Sequence, residues 1–136
     1  AHVTLSATLS VPKSDILKKY PAVLLVPGYG MSDRDLTGMG HKRFLVLADY
    51  LTNQGLAVLR YDKRGVGKST GDFFAATTAD FADDAYAGIE YLKQCAEVDS
   101  HNIGIIGLSE GGLIASMIAA KSPAVKFIVL MAPALC

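Results

Sequence analysis

Apolar residues follow two rhythms along the chain, strict alternation and three-to-four spacing, and the rhythms take turns. Val3, Leu5, Ala7 and Leu9 alternate with Thr4, Ser6, Thr8 and Ser10, which predicts a half-buried strand. A polar connection runs from Pro12 to Tyr20. Ala22 to Val26 is a continuous apolar run stopped by Pro27-Gly28, the pattern of a strand covered on both faces. The loop from Tyr29 to Gly40 contains the turn formers Gly30, Ser32, Gly38 and Gly40. Phe44, Leu45, Leu47, Ala48 and Leu51 then fall on one helical face, and Gly55 ends that helix. Leu56 to Leu59 forms the next strand and leads through Arg60-Tyr61-Asp62 into a second glycine-rich loop, residues 63–72. Thr77 to Asp80 matches a capping box with Asp in place of Glu. Behind it, Phe81, Ala85, Ile89, Leu92 and Ala96 predict a long amphipathic helix. Asn102 to Leu108 is a strand, Leu113 to Ile118 a helix ending near Ser122-Pro123, and Lys126 to Met131 a final strand.

The order β, β, α, β, α, β, α, β requires parallel strands joined by right-handed crossovers. The expected class is α/β, a mostly parallel sheet with helices on both faces. A ligand site in such a sheet lies beyond the carboxyl ends of the strands. Three of those ends here are loops rich in glycine and polar groups: residues 27–30, 61–65 and 108–112. The last strand, Phe127 to Met131, is apolar throughout and is expected to have cover on both faces and a neighbour on each side. Left as an edge it would invite aggregation, so further chain is expected after Cys136.

Composition narrows the function. At 136 residues the chain is read as one partial domain, and 51% hydrophobic against 19% charged residues is enough for a buried core. Lys plus Arg and Asp plus Glu both number 13, so no basic excess points to nucleic acid or an anionic membrane. No apolar run approaches the roughly 20 residues of a membrane span. Cys95 and Cys136 do not form a disulfide framework, and Cys95 is read as a buried or idle thiol. His2, His41 and His101 are far apart and lack zinc-ligand spacing, so no metal is expected. No signal peptide is visible, and the compartment and oligomeric state stay open.

Gly107-Leu108-Ser109-Glu110-Gly111 fits G-x-S-x-G, with a strand running straight into it and an apolar-periodic helix straight after. This strand–turn–helix context is what a nucleophile elbow requires. The flanking glycines remove Cβ atoms that would collide with neighbouring backbone, and the Ser109 hydroxyl would project into a cleft. Acyl transfer also needs donors for an oxyanion. The backbone N–H of Glu110 supplies one candidate, and the N–H of Tyr29, in the loop after Val26, the other. Two decoys fail. Gly67-Lys68-Ser69 lacks the glycine a P-loop needs at position 62, which is Asp, and Gly28-Tyr29-Gly30 is followed at position 33 by Asp where a dinucleotide fingerprint needs Gly.

Leu25 to Gly30, Arg60 to Ser69 and Gly104 to Gly112 together resemble the α/β-hydrolase family, its bacterial esterase-like and serine-peptidase-like members in particular. Asp62 to Ser69 is similar to the family's D-x-R-G-x-G-x-S segment. The resemblance implies that these strands are the family's second to sixth. It implies a serine hydrolase that cleaves a small-molecule carboxylic ester or amide through an acyl-enzyme on Ser109, with no cofactor. It places the lid, the triad acid and the triad histidine beyond Cys136, so the segment alone is expected to turn over little or nothing. Pro27 departs from the His that many members carry. Alternatives are an aminopeptidase or acyl-peptide hydrolase on the same fold, and a non-catalytic binding module. His41 is either a general base or a residue ordering its loop. Asp62 and Arg64 are either substrate contacts or an ion-paired scaffold for the glycine loop, and Asp33, Arg34 and Asp35 carry the same ambiguity.

Overall fold

The computed structural model describes residues 2–133. In chain order the elements are β1 (Ala7–Ser10), β2 (Tyr20–Val26), β3 (Thr37–Gly38), β4 (His41–Lys42), α1 (Arg43–Asn53), β5 (Ala57–Tyr61), α2 (Thr78–Gln94), β6 (Val98–Leu108), α3 (Glu110–Lys121) and β7 (Val125–Met131). Five strands form one sheet in the order β1-β5-β2-β6-β7. β1 runs antiparallel to β5, and the other pairings are parallel. β3 and β4 make a separate small hairpin.

The alternation of side chains divides the core between the two faces of the sheet. Ala22, Leu24 and Val26 of β2, Ala57 and Leu59 of β5, and Ile103 and Ile105 of β6 face α2 and α3, where they meet Ala85, Ile89 and Ile114. Val23, Leu25, Val58 and Ile106 face the other way, against Phe44 and Ala48 of α1. Each fully buried Val, Leu or Ile contributes about 1.5–3 kcal/mol relative to exposure. The apolar runs at residues 22–26 of β2 and 57–59 of β5 have both faces covered.

Several boundaries differ from the sequence reading. β1 starts at Ala7 because Val3 to Ser6 pairs with the loop after β5 instead of with a strand: Thr70 N–H donates to Thr4 O, and Asp62 N–H to Ser6 O, both at 2.9 Å. β6 starts four residues early, at Val98. Its pairing with β2 shifts register between Tyr20 and Ala22, where the Asp99 carboxylate accepts from His101 N–H and the Asn102 amide. α2 begins with the capping box: the Thr77 hydroxyl accepts from Asp80 N–H, and the Asp80 carboxylate accepts from Thr77 N–H. β7 pairs with β6 on one side and forms the sheet edge, with Phe127, Val129, Leu130 and Met131 part-exposed, not covered on both faces. Cys95 is half-buried with its Sγ 3.4 Å from Tyr91 O, and Cys136 lies outside the described residues. Among the described residues no helix is long and apolar enough to cross a membrane.

Candidate active site

Ser109 is the single residue between β6 and α3, and it has φ +54° and ψ −118°. A serine at this position usually adopts extended backbone and caps the helix with its hydroxyl. Here the positive φ turns the side chain away from that task, and Ser109 makes no capping hydrogen bond. A non-glycine residue at positive φ is held there only when its surroundings fix it. The Ser109 N–H donates to Met131 O, and its own carbonyl accepts from Gly112 N–H, both at 2.9 Å.

The tightness of this turn explains the flanking glycines. A Cβ on Gly107 would lie 2.7 Å from Gly112 N, and one on Gly111 would lie 2.7 Å from Pro27 O, far inside van der Waals separation. A Cβ on Gly28 would lie 3.0 Å from Ser109 Cβ. The loop after β2 is thus packed directly on the serine.

The N–H groups at the start of α3 lack partners within the helix. Among the described residues, neither Glu110 N–H nor Tyr29 N–H has a hydrogen-bond partner. The Glu110 carboxylate is turned to Thr78, whose hydroxyl donates to it at 2.8 Å. The Tyr29 ring is exposed. A half-buried hydroxyl beside free N–H groups at a helix N-terminus sits where developing negative charge is favoured.

Residues 60–69 brace the loop after β2. The Asp62 carboxylate accepts from Arg34 N–H at 2.7 Å, from the Arg34 guanidinium at 3.0 Å and from Lys68 N–H at 3.1 Å. Burial raises the Asp62 pKa, but these hydrogen bonds and the Arg34 charge outweigh it and hold the carboxyl below its ordinary value. Arg34 also donates to the hydroxyls of Ser6 and Thr8. Arg60 pairs with Asp35. Arg64 grips the Asp84 carboxylate through two bonds of 2.7 Å. Gly67 has φ +56°, and a Cβ there would meet the Asp62 carboxylate at 2.5 Å. Ser69 donates to Asp62 O at 2.7 Å and accepts from Ser6 N–H. Asp62, Lys63, Arg64 and Ser69 of the D-x-R-G-x-G-x-S segment therefore each have an internal side-chain partner, and Lys68 joins them through its backbone N–H. Asp62 and Arg64 act as scaffold, although they pair with Arg34 and Asp84, not with each other.

Lys63 is the residue that sequence reasoning missed. It is 2% exposed, and its ammonium donates to Gly28 O at 2.7 Å and Gly30 O at 3.0 Å. Its backbone N–H donates to Ser32 O at 3.1 Å. A signal was present: position 63 continues the inward phase of Ala57, Leu59 and Tyr61, an odd place for a lysine unless its charge is held.

The three histidines are not brought to Ser109 by any described hydrogen bond. His2 is exposed, His41 is exposed in the β3–β4 hairpin, and His101 is exposed beside Asp99. A hollow of about 490 Å³, between residues 2–7 and α2 and lined in part by Tyr61, Asp84 and Tyr91, lies apart from the serine.

The family model described as serine aminopeptidase, S33, matches residues 22–136. Esterase EstD of Thermotoga maritima is 29% identical over 130 residues, covering 96% of this chain and 31% of that protein. The Est1E structure from Butyrivibrio proteoclasticus with ferulic acid bound superimposes with a TM-score of 0.78 at 26% identity, over 97% of this chain and 50% of that one. The α/β hydrolase GrgF from Penicillium sp. sh18, at 24% identity and a TM-score of 0.81 over 96% of this chain and 42% of that one, shares the fold. The chain spans about a third to two fifths of the curated relatives it matches. With the five-stranded sheet, its order and the match over residues 22–136, the chain belongs to the serine aminopeptidase S33 family and has the α/β-hydrolase fold.

Proposed function

We propose that the protein is a serine hydrolase and that Ser109 is its nucleophile. One observation carries this reading: Ser109 is held at positive φ between a strand and a helix, without the capping bond a serine there normally makes. Its Oγ attacks the carbonyl carbon of an ester, the carbonyl oxygen becomes an oxyanion, and the N–H groups of Tyr29 and Glu110 receive that charge. Collapse expels the alcohol and leaves an acyl-enzyme, which water then cleaves. A general base must take the Ser109 proton, and a carboxylate must orient that base. Both are proposed to come from the part of the fold that these 136 residues do not include, in the chain order Ser, acid, His.

An ester substrate is supported by the likeness to EstD and Est1E. A second reading, cleavage of an amino-terminal peptide bond, is supported by the description of the matched family. The natural gene product containing this chain, assayed side by side on p-nitrophenyl acetate and on aminoacyl p-nitroanilides, separates the two. A kcat/KM favouring the ester by tenfold or more, abolished by Ser109→Ala, is the expected result. A preference for the anilide selects the peptidase, and full activity in the Ser109→Ala variant removes the serine mechanism.

A further inference from the structure

Lys63 stands two residues beyond β5, with its ammonium on the carbonyls of the loop after β2. Its ammonium is buried, 4.6 Å from the Phe81 ring centroid and 5.6 Å from that of Phe73. Among the described residues no carboxylate forms an ion pair with it, and Glu110 supports its charge from further off. Burying an ammonium without a direct counter-ion is costly, and a small apolar residue would fill the phase of β5 more cheaply. What the lysine gains is two carbonyl acceptors, Gly28 O and Gly30 O, which bracket Tyr29.

This bracketing has a geometric consequence. In a trans peptide the C=O of one residue and the N–H of the next point in opposite directions. Anchoring Gly28 O on the ammonium therefore points Tyr29 N–H away from Lys63. Gly28 itself abuts Ser109: a Cβ there would make a tight contact, 3.0 Å from Ser109 Cβ and 3.1 Å from Leu108 O. Gly30, at φ +99°, lets the chain turn back so that its carbonyl reaches the same ammonium. A cation on the carbonyl also polarises the peptide and strengthens the N–H as a donor.

We propose that Lys63 is a positioning residue for the oxyanion site: it clamps the Gly28 and Gly30 carbonyls so that the Gly28–Tyr29 peptide presents its N–H to the space in front of Ser109. This rests on the assignment of Ser109 and Tyr29 above. Lys63 touches neither substrate nor reacting atoms and acts through that peptide.

The test uses the natural gene product with Lys63→Met, which keeps the stem and removes the donors, and Lys63→Gln, which keeps N–H donors without charge. Thermal melts establish that each variant is folded. Because the clamp acts on the transition state, Lys63→Met is expected to lower kcat 10²–10³-fold, the usual cost of an oxyanion donor, with KM within threefold. Lys63→Gln is expected to recover part of that loss. Tyr29→Pro removes the N–H itself, and Lys63→Met added to it is expected to cost little more, since both changes disable one donor. A folded Lys63→Met variant with kcat within threefold of wild type overturns the proposal, as does a full additional loss in the Tyr29→Pro background. The wild-type protein gives a check that needs no variant: the Lys63 ammonium 15N resonance is expected to shift when Ser109 is phosphonylated, and an unmoved resonance counts against the clamp. Failure of the Ser109 assignment is separately visible, as retained activity in Ser109→Ala.

Discussion

Gly111→Ala tests whether the serine turn depends on the contact between α3 and the end of β2. The added methyl would sit 2.7 Å from Pro27 O and 2.9 Å from the carbonyl carbon of Val26, and closer still to Val26 O. These are backbone atoms of two buried residues, the last of β2 and the one after it, so no side-chain rotation relieves the overlap. Restoring ordinary separation requires the start of α3 to retreat by about 1 Å. Overpacking of this kind typically costs about 1–3 kcal/mol, and the immobility of β2 puts Gly111 at the upper end. The same retreat carries Ser109 and Glu110 with it, and a misplacement of about 1 Å at a reacting centre costs on the order of 10²-fold in rate. The assay pairs urea unfolding of the variant with the rate of fluorophosphonate labelling. The expected outcome is a stability loss of about 2–3 kcal/mol together with labelling slowed about 100-fold. Wild-type stability and wild-type labelling in the variant would refute the argument that this contact sets the geometry of the turn.

Other outcomes follow from the same geometry. Asp62→Asn removes the charge that holds Arg34 in a largely buried pair, and because Arg34 keeps some exposure the loss is about 2–3 kcal/mol at neutral pH, read by urea unfolding. The folded Asp62 carboxyl titrates below its unfolded value of about 3.9, so its contribution is present above that pH and lost as pH falls through the folded pKa. The gap between wild type and Asp62→Asn should therefore narrow toward pH 3, and a constant gap contradicts the pairing. Thr77→Ala removes the hydroxyl that accepts from Asp80 N–H, leaves the backbone half of the capping box in place, and should cost about 1 kcal/mol without changing the ester kcat.

Local patterns were legible where local physics decides them. β2 and β5 announced themselves as apolar runs because both faces are covered, and the capping box before α2 is a four-residue pattern with its partners inside it. G-x-S-x-G was legible for the same reason: the strand, the serine and the helix are neighbours in sequence. The missed features depend on distant partners. Val3 to Ser6 alternates like a strand but is claimed by residues 62–70, more than 55 positions away. The β3–β4 hairpin has two-residue strands, too short to show any period. Lys63 reads as one charge among several in a loop until its side chain is seen 35 positions back, on Gly28.

Labelling reads the Ser109 hydroxyl directly. Treatment of the natural gene product with a fluorophosphonate, followed by mass spectrometry of its peptides, should find a single adduct on Ser109. The Ser109→Ala variant should take up no label and lose its ester hydrolysis. An adduct at another residue, or ester hydrolysis that survives in Ser109→Ala, would contradict the account.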